Sequence, residues 1–226
     1  MHNKRLNNIM KIINSAIVLG FCSTCLAAQN PSQLQKFVPQ NWQIISQAQG
    51  DLNQDGLNDA AIIIQPKNPK ILDRKLMILM NQNHVLQPYA TKKIPQWTYS
   101  DTENCIDDAI DEDSIKINKS LLDITFNGMN SCSNWYGESW TYRFKLSQQQ
   151  FKLVGFEYWF TYKTDGKATR HSGNFLTQKL KTTIYNEFDD QIKPKITWKK
   201  LPPIQPDTLD KIQLQDDQNF LKQMIK

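Results

Sequence analysis

A short loop near the start of the chain carries oxygen ligands at the spacing that calcium uses. Residues 50–59 read GDLNQDGLND, with acidic or amide side chains at alternating positions and Gly56 after the third of them. Calcium prefers several hard oxygen ligands, and a loop around one ion needs a glycine where the backbone turns sharply. Leu57 can add its backbone carbonyl oxygen. The expected calcium ligands are therefore Asp51, Asn53, Asp55, Leu57 and Asp59.

The same loop has an alternative interpretation without metal. Asn, Asp and Gly also form tight turns in which side-chain oxygens accept hydrogen bonds from the backbone. However, the three carboxylates of this loop repel one another unless a cation lies between them. Calcium would then stabilise the entry to the apolar run 60–64, in a structural role.

The pattern D-x-N-x-D-G-x-x-D agrees only in part with an EF-hand. The twelfth position of an EF-hand loop is a bidentate glutamate, and here it is Ile62, with strand-like residues on both sides in place of helices. Residues 50–65 instead resemble the calcium loops of FG-GAP or VCBS-type repeats, in which such a loop runs into an apolar strand. The resemblance implies a metal loop, but one copy does not imply the β-propeller of those adhesion and carbohydrate-associated proteins. More loosely, the chain resembles small exported bacterial proteins with a single such loop.

A second cluster of acidic residues surrounds Cys105. Residues 101–113 contain seven acidic residues, which suit a second metal site, a surface for a basic partner, or a solvated loop. Cys105 and Cys132 predict one disulfide, with two buried thiols as the alternative. The bridge would hold the acidic segment as part of a partner surface. Its candidate residues are Asp107, Asp108, Asp111, Glu112, Asp113, Trp135 and Tyr136.

Residues for acid–base catalysis are few. Beyond the first thirty residues only His84 and His171 remain, and His171 lies in an expected surface loop without a nucleophile motif nearby. Two carboxylates could hydrolyse a glycan without histidine, but no pair stands out. Aromatic residues crowd positions 135–162, where they could stack on sugars, anchor a partner or fill the core.

The first 28 residues predict a cleavable signal peptide. Three basic residues precede an apolar run at 12–21 and small residues near Ala27 and Ala28. A lipid anchor at Cys22 or Cys25 is the alternative, and the C-x-x-C spacing of this pair has no redox role in a leader that is removed. Loss of the leader lowers the formal net charge from +5 to +2. That balance argues against nucleic-acid binding, and no transmembrane span is expected after cleavage.

The remaining chain predicts strands almost throughout, with short connections that favour antiparallel pairing. Residues 29–200 are expected to form one β-rich domain, and residues 201–226 a proline-rich link and a helix. A short helix is expected at 31–38. The expected strands are 42–48, 59–65, 75–80, 85–90, 114–118, 121–126, 140–146, 151–162, 174–177 and 181–185.

These patterns predict a mainly β protein: a single antiparallel β-meander or sheet domain with short terminal helices, although an α+β arrangement is also compatible. The expected function is an exported, periplasmic or secreted, calcium-binding domain without enzymatic activity. Its partner would be an envelope protein or glycan, including an inhibitor or immunity-type role. The alternative is an envelope hydrolase that cleaves glycan or peptidoglycan through carboxylates.

Overall fold

A computed structural model describes residues 31–68, 70–71, 73–94, 98–99, 107–128, 135–203, 207–214 and 218–225. The two helices are α1 (Pro31–Gln35) and α2 (Gln218–Ile225). The strands are β1 (Trp42–Gly50), β2 (Asp59–Pro66), β3 (Lys75–Gln82), β4 (Val85–Lys93), β5 (Thr98–Tyr99), β6 (Asp107–Asp108), β7 (Ile115–Asn118), β8 (Leu121–Asn127), β9 (Tyr136–Ser147), β10 (Gln150–Tyr162), β11 (Lys167–Asn174), β12 (Lys179–Asn186) and β13 (Lys195–Lys200).

The strands form two antiparallel meanders. The smaller sheet has the order β1-β2-β3-β4, the larger has the order β13-β12-β11-β10-β9-β8-β7, and β5 pairs with β6. Hairpins such as Lys119–Ser120 and Gln148–Gln149 place both turn residues at positive φ. That conformation matches the right-handed twist of the flanking strands. Turns of two residues join β3 to β4, β7 to β8 and β9 to β10, and connections this short place the strands they join side by side and antiparallel.

The main core lies between the two sheets. Ala61 and Ile63 of β2 belong to one buried cluster with Phe126, Trp140 and further residues of the larger sheet. The alternate residues of β2, Ala60, Ile62 and Ile64, form a second cluster with Leu34 of α1. Because successive side chains of a strand point to opposite faces, the apolar run of β2 is buried on both sides.

The C-terminal tail packs on the larger sheet. Leu209, Ile212, Leu214 and Leu221 are buried in the main core, and the Tyr142 hydroxyl donates to the Leu214 carbonyl oxygen over 2.9 Å. The C-terminal tail therefore contributes side chains to the core, and α2 packs against the domain through Leu221. No helix in the described part of the chain has the length and apolar character needed to span a bilayer.

The prediction of a mainly β, antiparallel fold is confirmed, with differences in detail. Residues 174–177 were expected in a strand, but Asn174 ends β11 and residues 175–177 lie in the turn between β11 and β12. His171, expected in a loop, lies in β11, and β13 was not among the expected strands. The apolar residues of these strands are few, Ala168 in β11 and Ile196 and Trp198 in β13, so the apolar signal for a strand is weak.

Candidate metal site and binding surfaces

The candidate calcium loop connects β1 to β2. Gly50 and Asp59 are directly paired at the end of the two strands, so residues 51–58 project as one loop from the edge of the small sheet. The root of this loop is tightly packed, because a Cβ on Gly50 would lie 2.6 Å from Ile117 Cγ2. The pairing therefore holds both ends of the loop in place while its tip is exposed.

Asp51 organises the backbone of the loop. Its Oδ1 accepts hydrogen bonds from Gln54 N at 2.6 Å and Asp55 N at 3.2 Å. Its Oδ2 accepts from Gly56 N at 2.8 Å. Gly56 has a φ of 86°, which a side chain would strain. The loop backbone therefore wraps around the Asp51 carboxylate, and the positive φ that this needs at position 56 is readily adopted by glycine.

The exposed half of the loop is held by Asn53 and Asp55. Asn53 Oδ1 accepts from Asp55 N at 3.0 Å. The Asn53 amide donates to Asp55 Oδ2 over 2.8 Å. Leu57 N donates to Asp55 Oδ1 over 2.8 Å. A cation would compete with these donors for the oxygens of Asp55, so calcium binding has to reorganise this part of the loop.

Asp59 lies at the closed end and is completely buried. Its two carboxylate oxygens accept hydrogen bonds from Leu52 N and Asn81 N, both over 2.8 Å. Burial raises the pKa of Asp59, these backbone bonds lower it, and the nearby carboxylates of Asp55 and Asp51 raise it further. Within the described chain no basic side chain forms an ion pair with it. Among the described residues, the carboxylate therefore has no compensating positive charge.

The donor chemistry of the loop fits a hard divalent cation. It contains carboxylates, an amide oxygen at Asn53 and the carbonyl group of Leu57, the ligand types that calcium takes. Asn81, which binds Asp59 through its N–H, has a buried Oδ1 with no hydrogen-bond partner among the described residues. Among the residues that the structure describes, no three His, Cys, Asp or Glu side chains are grouped to hold a metal ion. Calcium binding therefore stays a prediction.

Part of the predicted partner surface has a structural role. Arg74 is fully buried, and its guanidinium nitrogens donate to both carboxylate oxygens of Asp108 and to Gln65 Oε1. Asp111 accepts from the Ser114 hydroxyl at 3.0 Å and from the Asn127 amide at 2.7 Å. These two acids tie the segment to the body of the protein, so they are not wholly available to a partner.

The other predicted surface residues differ in exposure. Asp113 is 78% exposed and lies 3.8 Å from the Lys116 ammonium, and the Glu112 side chain is exposed. Trp135 is 72% exposed. Tyr136 is 38% exposed, and its ring stacks on Phe160 with the centroids 5.5 Å apart. The structure describes the backbone of Asp107 in β6 and nothing of its side chain.

A polar row that the sequence did not indicate crosses the larger sheet. The Tyr158 hydroxyl donates to Glu138 over 3.0 Å, Tyr158 stacks on His171, and His171 Nδ1 lies 3.0 Å from Thr182 Oγ1. Burial raises the pKa of Glu138 and lowers the pKa of His171. These residues are far apart in the sequence, and only strand register brings them together.

Several predictions concern residues outside the described ranges. The signal peptide, the possible anchor at Cys22 or Cys25, and the disulfide between Cys105 and Cys132 all lie there. Comparison of the chain with protein-family models, curated proteins and solved structures gives no match.

Proposed function

We propose that this chain is a calcium-binding β domain that acts by binding another macromolecule of the cell envelope and not by catalysis. The leader-like first 28 residues support export. The types and spacing of the oxygen-bearing side chains in residues 51–59 support a structural calcium ion. Exposed aromatic residues at the ends and edge of the larger sheet support a binding role.

One observation carries the calcium proposal: the environment of Asp59. Its carboxylate is buried, and a buried charge is normally paired or bound to a metal. The charged groups that act on it are the acids Asp55 and Asp51, and both raise its pKa. A divalent cation between these three carboxylates removes their repulsion and compensates the buried charge.

The role of the ion follows from what the loop joins. Asp59 is the first residue of β2 and bonds to Asn81 near the end of β3. An ion bound to Asp59 therefore holds the β1–β2 connection against the neighbouring hairpin. This arrangement stabilises the fold and leaves recognition of the partner to other surfaces.

Calcium titration of the purified protein tests the proposal, by calorimetry and by thermal unfolding with calcium or a chelator. A ligand that binds only the folded state at 100 times its Kd stabilises by about 2.7 kcal/mol. We expect a calcium-dependent rise in Tm that Asp55→Ala abolishes. The matched control is Asp113→Ala, which removes an exposed acid outside the loop and should keep the full response.

Two results would contradict the calcium site. One is the absence of both heat and a Tm shift in the wild-type protein at millimolar calcium. The other is an equal response in the Asp55→Ala and wild-type proteins, which would place any bound ion elsewhere.

A further inference from the structure

Strand β13 is the terminal strand of the larger sheet and pairs only with β12 among the described strands. All six of its residues are exposed. Ile196 is 50% exposed and Trp198 is 65% exposed. An exposed edge strand offers backbone hydrogen-bonding groups to an added strand.

The other sheet edges are closed in ways that β13 is not. The edge of β1 lies beside β7, and the Ser46 hydroxyl bridges them by donating to Glu112 O and accepting from Ile115 N. Strand β4 carries Pro88 and a register irregularity, and its Tyr89 hydroxyl donates to Gln149 O over 2.8 Å. Strand β13 has six regular pairs with β12 and neither proline nor bulge.

The chemistry around this edge is basic and aromatic. Lys195 precedes Ile196–Trp198, and Lys199 and Lys200 follow them. A cleft of about 590 Å³ opens beside Trp198. Its described lining is Thr177, Gln178, Lys179, Trp198, Lys199 and Lys200, without an acidic residue. The edge therefore presents an apolar centre between two positive ends.

This charge pattern indicates which kind of strand could pair with the edge of β13. A second copy paired through the same strand would bring its lysines against those of the first, and like charges on facing strands are destabilising. An extended segment with acids at both ends and apolar residues in the middle complements the edge in charge and in shape. We propose that β13 binds such an acidic segment of a partner protein as an added strand, with Trp198 as its apolar anchor.

This inference rests on the proposed function, because it names the class of partner that the binding domain takes. The probe is a fluorescein-labelled peptide, Gly-Glu-Asp-Val-Thr-Val-Glu-Asp-Gly, measured by fluorescence anisotropy with the purified protein. One comparison peptide carries lysine in place of every acidic residue. The other keeps the acidic sequence and carries N-methyl groups on alternate backbone amides. We expect both changes to weaken binding by about tenfold or more, because the first reverses the charge and the second blocks strand pairing.

Variants of the protein locate the site. Lys195→Glu with Lys200→Glu, and separately Trp198→Ala, should each weaken binding of the acidic peptide by about tenfold or more. The matched controls are Lys67→Glu with Lys119→Glu, which makes the same charge change at exposed positions away from β13, and Val85→Ala, which shortens an exposed apolar side chain on β4 of the small sheet. Both controls should bind the peptide as the wild type does.

Calcium titration of the β13 variants separates the peptide-binding proposal from the calcium proposal. The loop at 50–59 is unchanged in these variants, so they should respond to calcium as the wild type does. The β13 proposal is overturned if the acidic peptide does not bind, if the N-methylated peptide binds equally well, or if the controls lose binding as the β13 variants do. Trp198-dependent dimers or binding to phosphatidylglycerol–phosphatidylcholine vesicles, without peptide binding, would also overturn it.

Discussion

Removal of the Asp108 carboxylate tests whether the acidic segment is a structural anchor. Asp108→Ala leaves the Arg74 guanidinium fully buried, with Gln65 Oε1 still accepting from its Nε and Nη2. Breaking a buried ion pair from one side costs about 3–5 kcal/mol. Because the Asp108 side chain is 38% exposed and water can reach the vacated position, we expect a loss of about 2–3 kcal/mol.

The reverse change should cost less. Arg74→Met removes the buried charge and fills most of its volume, while the exposed Asp108 carboxylate becomes hydrated and keeps its bond from Ile110 N. We expect a loss of about 1 kcal/mol for Arg74→Met, and about 0.5 kcal/mol for adding Asp108→Ala to it. The two residues are therefore coupled by about 2 kcal/mol in a double-mutant cycle.

Urea unfolding measures all four proteins, and Asp113→Ala is the matched acid-removal control. Asp113 is 78% exposed and has only a 3.8 Å surface ion pair, so its loss should change stability by less than about 0.5 kcal/mol. If Asp108→Ala were no more destabilising than Asp113→Ala, or less so than Arg74→Met, the structural interpretation would fail. Asp108 would then again be free to serve as a partner residue.

Two further predictions concern the larger sheet. A methyl group on Gly173 would lie 2.1 Å from Phe156 Cε1, so Gly173→Ala should lower the free energy of unfolding by about 1–3 kcal/mol, measured by urea unfolding. Ser172→Ala, on the opposite face of β11, is the control. Equal losses of stability in the two variants would contradict the close approach of Gly173 to Phe156. Burial lowers the pKa of His171 in the folded state, so the unfolded chain takes up a proton first, and stability present at neutral pH is lost as the pH falls below about 6.5 towards the lower folded pKa. His171→Gln should therefore reduce the fall in the urea midpoint between about pH 7 and 5, whereas His84→Asn in the exposed β3–β4 turn should retain it; identical curves for wild type and His171→Gln would refute the role of burial.

Local sequence patterns predicted the strands that have a strong apolar signal. The run at 59–65 became β2, and the segments at 114–118 and 121–126 became β7 and β8 with the expected turn between them. These segments show alternation or continuous burial within a few residues, so neighbouring positions carry enough information. Strands β11 and β13 contain few apolar residues, so the sequence gives them little signal. Backbone pairing with neighbouring strands holds them in the sheet.

The sequence alone determined the antiparallel β class and predicted the candidate oxygen ligands in the loop at 50–59, because both depend on residues close together in the chain. Only the tertiary structure decided that Asp59 is buried against Asn81, that Asp108 binds the buried Arg74, and that the lysine-rich β13 is the terminal strand of the larger sheet among the described strands. Each of these depends on which distant segments meet, and that is set by strand register and by the packing of two sheets over one core. Asp108 and Asp111 of the acidic segment therefore have structural contacts in place of part of the predicted binding role. The lysine-flanked edge of the larger sheet is now the proposed binding surface.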